Sequence, residues 1–193
     1  MLLAAVVFAV LVARFAGTGP DGMSQVDRAL LRPRFHGRSA LEALVWIGTP
    51  ETVIAVAGLS AAVAFWQGRR RLAAIALLGP GLTGATTTLL KPVIDRTIVD
   101  GELAFPSGHT AGATALGLVA AIAVVGLLRP RPAGALAVLA ASAVPAMIVG
   151  TGMVLLGAHY PTDVLGGYTA AVAVVLSTAL VVDAAARWWA GRA

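Results

Sequence analysis

Apolar runs of about 20 residues recur along this chain of 193 residues. Runs of that length cross the hydrocarbon of a bilayer as helices, because a backbone in lipid must satisfy its own N–H and C=O groups. Continuous apolar runs exclude a transmembrane β-barrel, whose strands alternate apolar and polar residues. Composition agrees, with 59% hydrophobic and 12% charged residues and a mean hydropathy of +0.88, far from a soluble domain. The expected fold is all-α: a polytopic membrane protein with six transmembrane helices in one bundle, a single domain over 1–193. The absence of cysteine excludes disulfides, thiolate metal sites and a cysteine nucleophile. No metal site and no cofactor is expected. The net charge of +5 points to topology signals or lipid headgroups rather than nucleic acid, since arginines flank the spans.

The first apolar run covers 2–17. It has no basic leader segment and no clear small-residue cleavage site, which favours a retained helix over a signal peptide. Residues 18–38 interleave Asp21, Asp27, Arg28, Arg32, Arg34 and Arg38 with Val26, Leu30, Leu31 and Phe35. That pattern suits an amphipathic segment on the membrane surface and suits a solvated loop equally well. Ser39 to Glu42 has the spacing of a capping box. A further helix start falls at Thr49-Pro50-Glu51, and the span runs to about Trp66. The third span, 72–90, is rich in Gly79, Gly81, Gly84 and Thr86 to Thr88, residues that let membrane helices approach closely. The remaining spans are expected at 107–128, 133–155 and 162–186, with Trp188 and Trp189 as interface anchors.

One polar stretch interrupts the second half. From Lys91 to His109 it carries Lys91 and Arg96 and ends in Pro106-Ser107-Gly108-His109, directly before an apolar run. Proline, a small hydroxyl residue and glycine suit a helix start, and the free N–H groups of such a start attract an anion. A second constellation is His159-Tyr-Pro-Thr-Asp163. The spacing lets Asp163 meet His159 on one helical turn, fixing the tautomer and leaving the other nitrogen free to attack or take a proton. Two spans separate these segments, so both emerge on one face. Asp95, Asp100 and Glu102 read as solvated loop charges, and Glu51 as a first-turn acid stabilised by the helix dipole. Tyr160 and Tyr168 read as interface aromatics. The dense clusters Arg69 to Arg71 and Arg129 with Arg131 favour the opposite face as cytoplasmic. That is expected to place the 91–109 loop on the extracytoplasmic face.

Lys91 with Arg96, then Pro106-Ser107-Gly108-His109, then Gly157-Ala-His159-Tyr-Pro-Thr-Asp163 resembles the type 2 phosphatidic acid phosphatase (PAP2) superfamily. The resemblance implies a metal-independent lipid phosphatase with a phosphohistidine intermediate. By that resemblance His159 is the nucleophile, Asp163 its orienting partner and His109 the general acid. Lys91, Arg96, Ser107 and the Gly108 backbone are expected to hold the phosphate. The alanine-, valine- and glycine-rich composition suggests a high-GC, actinobacterial source. On that association alone the decaprenylphosphoryl-phosphoribose phosphatase branch is a candidate.

The sequence departs from the family pattern twice. Ile98 and Val99 stand where the first motif has Arg-Pro, and Gly152 and Met153 stand where the third begins Ser-Arg. Each lost charge-assisted hydrogen bond costs on the order of 1.5–3 kcal/mol. Weaker binding of a simple monophosphate, a cation borrowed from Arg34 or Arg38, and lost catalysis all remain open. A phosphomonoester is favoured, because a diphosphate needs more cationic contacts. Expected partners are a lipid phosphate and membrane lipids, not nucleic acid, with the oligomeric state open. A catalytically silent lipid-phosphate binder and a lipid diphosphate phosphatase are the alternatives. A transporter is disfavoured by the lack of a carboxylate pathway or inverted repeat.

Overall fold

A computed structural model describes residues 1–18, 22–30, 38–98, 100–128 and 131–192, leaving the Arg38 side chain aside. Arg34 and the Arg38 side chain, expected as sources of a replacement cation, lie outside the described residues, as do residues 19–21 and 31–37 of the expected amphipathic stretch.

Among the described residues there are nine α-helices and one 3₁₀ turn. Four segments are long and apolar enough to cross a membrane. These are α5 (Arg70–Ile94), α6 (Gly108–Leu128), α7 with α8 (Pro132–Ala141 and Ala143–Leu155), and α9 (Pro161–Ala190). They match the last four expected spans, although α5 and α9 overrun their expected ends. The first two expected spans differ. Helix α1 (Leu2–Phe15) has 14 residues, about 21 Å at 1.5 Å per residue, against about 30 Å of hydrocarbon. The second is broken: α3 (Arg38–Val45) and a 3₁₀ turn (Trp46–Gly48) meet α4 (Pro50–Trp66) at a bend of 45°. Among the described residues four segments, or five with the bent pair, are long and apolar enough to cross, against the six expected.

The break has a local cause. Thr49 is extended and caps α4 with its hydroxyl, and Pro50 occupies the first turn, where its missing N–H is harmless. Gly48 faces the carbonyl oxygen of His109 so closely that any Cβ would collide with it. The bend therefore seats the start of α4 against the start of α6. The capping box expected at Ser39 finds no helix start among the described residues, since α3 already includes Arg38. It forms instead at α2 (Gln25–Leu30), where Ser24 Oγ accepts the Asp27 N–H at 3.1 Å and Asp27 Oδ2 accepts the Ser24 N–H at 3.0 Å.

Helix α6 lies at the centre, packed by α4, α5, α8 and α9. Ala111, Ala115 and Leu118 of α6 meet Ala171 and Val175 of α9 in one core cluster. Glycine sets the approach: Gly112 faces Val53 of α4, Gly117 faces Pro145, and Gly150 faces Val164, in each case too closely for a side chain. Of the glycines expected to do this in α5, Gly79 faces Val175 at 3.4 Å, while Gly81 and Gly84 face open space. They line a groove of about 380 Å³ between α4 and α5, with Pro50 and Thr88 at one end of it.

Candidate active site

The end of α5, the 95–107 loop, the start of α6 and the start of α9 converge at one end of the bundle. Lys91 sits half-buried in the last turn of α5. Asp95 ends that helix in the left-handed conformation, at φ 53°. The chain then makes a small hairpin: Thr97 bridges Leu103, Ile98 N–H donates to Glu102 C=O at 3.0 Å, and Ala104 N–H donates to Arg96 C=O at 2.8 Å. Asp95, Asp100 and Glu102 are exposed on it, as expected of solvated charges. Phe105 is buried against Phe8 and Phe15 of α1, so α1 walls the loop from behind.

Ser107 leads into α6. Its Oγ accepts the Thr110 N–H at 3.4 Å and lies 3.1 Å from Thr110 Oγ1, and its own N–H donates to the Asp163 carbonyl at 3.0 Å. Gly167 of α9 packs so tightly on the Ser107 carbonyl that a Cβ has no room. Gly108 is different: a Cβ there meets nothing nearer than Thr87 Oγ1 at 4.0 Å. The first-turn N–H groups of α6 have no intrahelical acceptor, and the backbone at Gly108 is not crowded by any side chain. His109, next in that turn, is half-buried and within electrostatic reach of His159, Lys91 and Glu51.

The other half of the site begins where α8 ends. Gly157 is left-handed at φ 75°. Ala158 N–H donates to Met153 C=O and Gly157 N–H to Val154 C=O, both at 3.0 Å. This is a Schellman end, and it turns the chain so that His159 immediately precedes α9. Asp163 falls in the first turn of α9, where its Oδ2 accepts the Tyr160 N–H at 2.8 Å. His159 Nδ1 lies 3.8 Å from the same oxygen and is buried without a hydrogen-bond partner. The pair thus meets across the helix start rather than within one helical turn, and at a distance longer than a hydrogen bond.

Arg96 does not face a phosphate. Its guanidinium is fully buried, with Nη1 2.5 Å from Asp163 Oδ1 and Nη2 2.6 Å from Asp27 Oδ2. It stacks over the Phe15 ring at 3.8 Å, with the Tyr160 ring at 4.9 Å. This corrects the expectation that Arg96 holds phosphate, because two carboxylates already engage it. It also corrects the reading of Tyr160 as an interface aromatic, since Tyr160 is buried. Sequence reasoning overlooked Asp27, which the amphipathic pattern assigned to a surface segment. Its Oδ1 accepts the Thr162 N–H at 2.9 Å, and its Oδ2 accepts the Ser24 and Thr162 hydroxyls at 2.7 and 3.0 Å. Burial raises the Asp27 carboxyl, but hydrogen bonds from Ser24 and Thr162 outweigh it and hold the group below its ordinary value. The serine-to-acid spacing of Ser24 and Asp27 was the available signal.

The two departures from the family pattern have structural counterparts. Ile98 sits half-buried on the hairpin. Met153 is buried in an apolar cluster with Val45, Ala113 and Val149, and Val45 fills the space over Gly152. Lys91 forms no ion pair with any described residue, so among the described residues it is the uncommitted cation of the site.

A crystal structure described as the first transmembrane PAP2 type phosphatidylglycerolphosphate phosphatase, from Bacillus subtilis, superimposes with a TM-score of 0.73 over 92% of both chains, at 22% identity. At that identity the likeness establishes the fold. Among curated proteins none matches the chain. The PAP2 superfamily model matches residues 86–187, just over half of the chain and every motif residue of the site. The chain belongs to the PAP2 superfamily, as a multi-pass membrane protein.

Proposed function

We propose that the protein hydrolyses the phosphomonoester of a membrane lipid through a phosphohistidine at His159. The observation that carries this reading is the convergence of Lys91, the Ser107-Gly108-His109 helix start and the His159–Asp163 pair on one end of the bundle. Nδ1 of His159 faces Asp163, so Nε2 is the nitrogen that attacks phosphorus. The phosphorus–oxygen bond to the lipid breaks, and His109 gives its proton to the departing alkoxide. Water then attacks the phosphohistidine, His109 takes the water proton, and inorganic phosphate leaves with Nε2 restored. Lys91 and the first-turn N–H groups at Gly108 stabilise the phosphoryl oxygens, with Ser107 capping the turn that presents them. Arg96 moves from the phosphate to a supporting role behind Asp163.

Lipid is favoured as the substrate by the groove between α4 and α5. It reaches Pro50 and Thr88, which neighbour Glu51 and lie one turn before Lys91. A headgroup at the site leaves its tail beside that groove. A monophosphate is favoured by the cation inventory, with Arg96 neutralised and the two family arginine positions apolar. Phosphatidic acid, phosphatidylglycerophosphate, polyprenyl phosphates and polyprenyl-sugar phosphates all present such a group. The site faces away from the cytoplasm in this reading. Arg69 to Arg71 lie at the other end of α5 from Lys91, and Arg187 lies at the other end of α9 from Asp163.

The test is release of inorganic phosphate by detergent-purified protein from each of those lipids and from a polyprenyl diphosphate, with EDTA present. Release abolished in His159→Ala supports the mechanism. Faster release from the diphosphate overturns the monophosphate preference. A second reading, a silent lipid-phosphate binder, is favoured by the buried Met153 where the family has arginine. It requires saturable lipid-phosphate binding with no release beyond the His159→Ala background.

A further inference from the structure

Asp27 makes no contact with the residues assigned to phosphate, yet it is fully buried and ties three segments together. Its carboxylate takes Nη2 of Arg96, the Thr162 N–H and hydroxyl, and the Ser24 N–H and hydroxyl. The Thr162 N–H is a first-turn donor of α9 that no helix carbonyl reaches. One side chain on a short separate helix therefore fixes both the arginine and the first turn from which Asp163 projects. We infer that Asp27 is a positioning residue of the reaction, holding Arg96 and the start of α9 so that Asp163 is presented to Nδ1 of His159. The inference rests on the phosphatase reading above for its role in turnover.

The charge balance gives Asp27 a second effect. Arg96 sits between two carboxylates, so its single positive charge is shared. Without Asp27 the guanidinium pairs with Asp163 alone, and His159 faces a neutral pair instead of a net anion. His109 on α6, which lies within electrostatic reach of His159, is unchanged. The guanidinium, held from one side only, no longer fixes Asp163 opposite Nδ1 of His159, while phosphate binding through Lys91 and α6 is untouched.

The experiment uses the full-length protein in detergent with two readouts. One is kcat and KM for farnesyl monophosphate. The other is the rate of His159 carbethoxylation by diethyl pyrocarbonate at one fixed pH, followed by mass spectrometry, which reads how firmly the imidazole is held and needs no turnover. Asp27→Asn is expected to lower kcat about tenfold or more, to leave KM within about twofold, and to raise the His159 labelling rate. Asp27→Glu, which keeps the charge, is expected to recover most of the kcat. In an Arg96→Gln background, Asp27→Asn is expected to cost less in kcat than in the wild type, because only the Thr162 and Ser24 contacts remain to be lost. An unchanged labelling rate in Asp27→Asn, or a full additive effect without Arg96, overturns the inference. If the wild type hydrolyses no lipid phosphate but the labelling rate rises, the phosphatase reading fails and the positioning of His159 by Asp27 stands. Should Asp27→Asn not fold, Ser24→Ala loosens Asp27 while keeping its charge. A fall in kcat at constant KM then supports the inference, and an unchanged kcat overturns it.

Discussion

His159 Nδ1 lies 3.8 Å from Asp163 Oδ2, a gap that a movement of under about 1 Å closes to a hydrogen bond. Such contacts are often long in a free enzyme and tighten in the reacting complex. Both Asp163 oxygens already serve other groups, the Tyr160 N–H and Arg96. Asp163 is thus a helix cap and a partner of the buried Arg96, and in the proposed mechanism it also orients His159.

Asp163→Asn is therefore expected to act on two measurements. An amide cannot stabilise the imidazolium or fix its tautomer, and kcat for lipid monophosphate falls by on the order of 10²–10⁴ with KM little changed. Arg96 keeps Asp27 as a neutral pair, and the lost charge-assisted hydrogen bond to Asp163 costs about 1.5–3 kcal/mol, visible as a lower melting temperature. Full activity with a lowered melting temperature would leave Asp163 as a structural cap only.

Acid sensitivity follows from the other carboxylate. Asp27 is held below its ordinary value in the folded protein, so the folded state binds its proton less readily than the unfolded chain does. Its contribution to stability is complete above the ordinary carboxylate value, near 3.8, and is lost as pH falls through the lower folded value. The difference in melting temperature between wild type and Asp27→Asn is expected to be constant from neutral pH to about pH 5 and to shrink below about pH 4. A difference that grows on acidification contradicts this assignment.

These two carboxylates also mark what the sequence disclosed and what it withheld. Span parity brought the 91–109 loop and Asp163 to one face, and the Ser107 N–H to Asp163 carbonyl bond joins them there. Apolar run length located α5 to α9, because hydrocarbon thickness constrains length directly. The helix start at Thr49-Pro50-Glu51 was legible as well, since α4 runs from Pro50 to Trp66, whereas nothing in the apolar pattern gives the 45° angle at which α3 meets it. Arg96 was placed with Lys91 by nearness in sequence, whereas its partner Asp27 lies in a segment of ambiguous pattern. No local periodicity encodes which distant carboxylate an arginine will meet. Ser24 and Asp27 have the same Ser-x-x-acid spacing as Ser39 and Glu42, and spacing alone does not tell which of the two caps a helix.

The open glycines of α5 give a clean probe of the lipid tail. Gly84 faces nothing within 4 Å and lines the α4–α5 groove, so a larger side chain enters space rather than the core. Gly84→Leu is expected to leave the fold intact and to displace part of a bound tail. Losing contact for two methylenes at about 0.8 kcal/mol each raises KM for a long-chain polyprenyl phosphate about tenfold. A short-chain phosphate that does not reach the groove keeps its wild-type KM. Equal effects on both substrates place the tail elsewhere.

Met153→Arg asks whether the family arginine can be put back. Met153 packs with Val45, Ala113 and Val149 at 5% exposure, so a guanidinium there is buried without a carboxylate. The expected cost is about 3 kcal/mol, seen as a lower melting temperature, with no gain in phosphate release. A gain in kcat or a tighter KM means that the side chain reaches the phosphate and that Val45 yields to it.

The absence of cysteine makes sidedness directly measurable. Glu102 is exposed on the hairpin beside the site, and Gln67 is exposed at the opposite end of the bundle, where α4 ends. Glu102→Cys and Gln67→Cys each introduce a single thiol, and neither position belongs to the proposed machinery. In intact bacterial cells a membrane-impermeant maleimide is expected to label Glu102→Cys at once and Gln67→Cys only after permeabilisation. The reverse pattern puts the site in the cytoplasm. The arginine clusters at the other end would then be facing outward against the positive-inside bias, and the substrate would have to be a lipid phosphate of the inner leaflet.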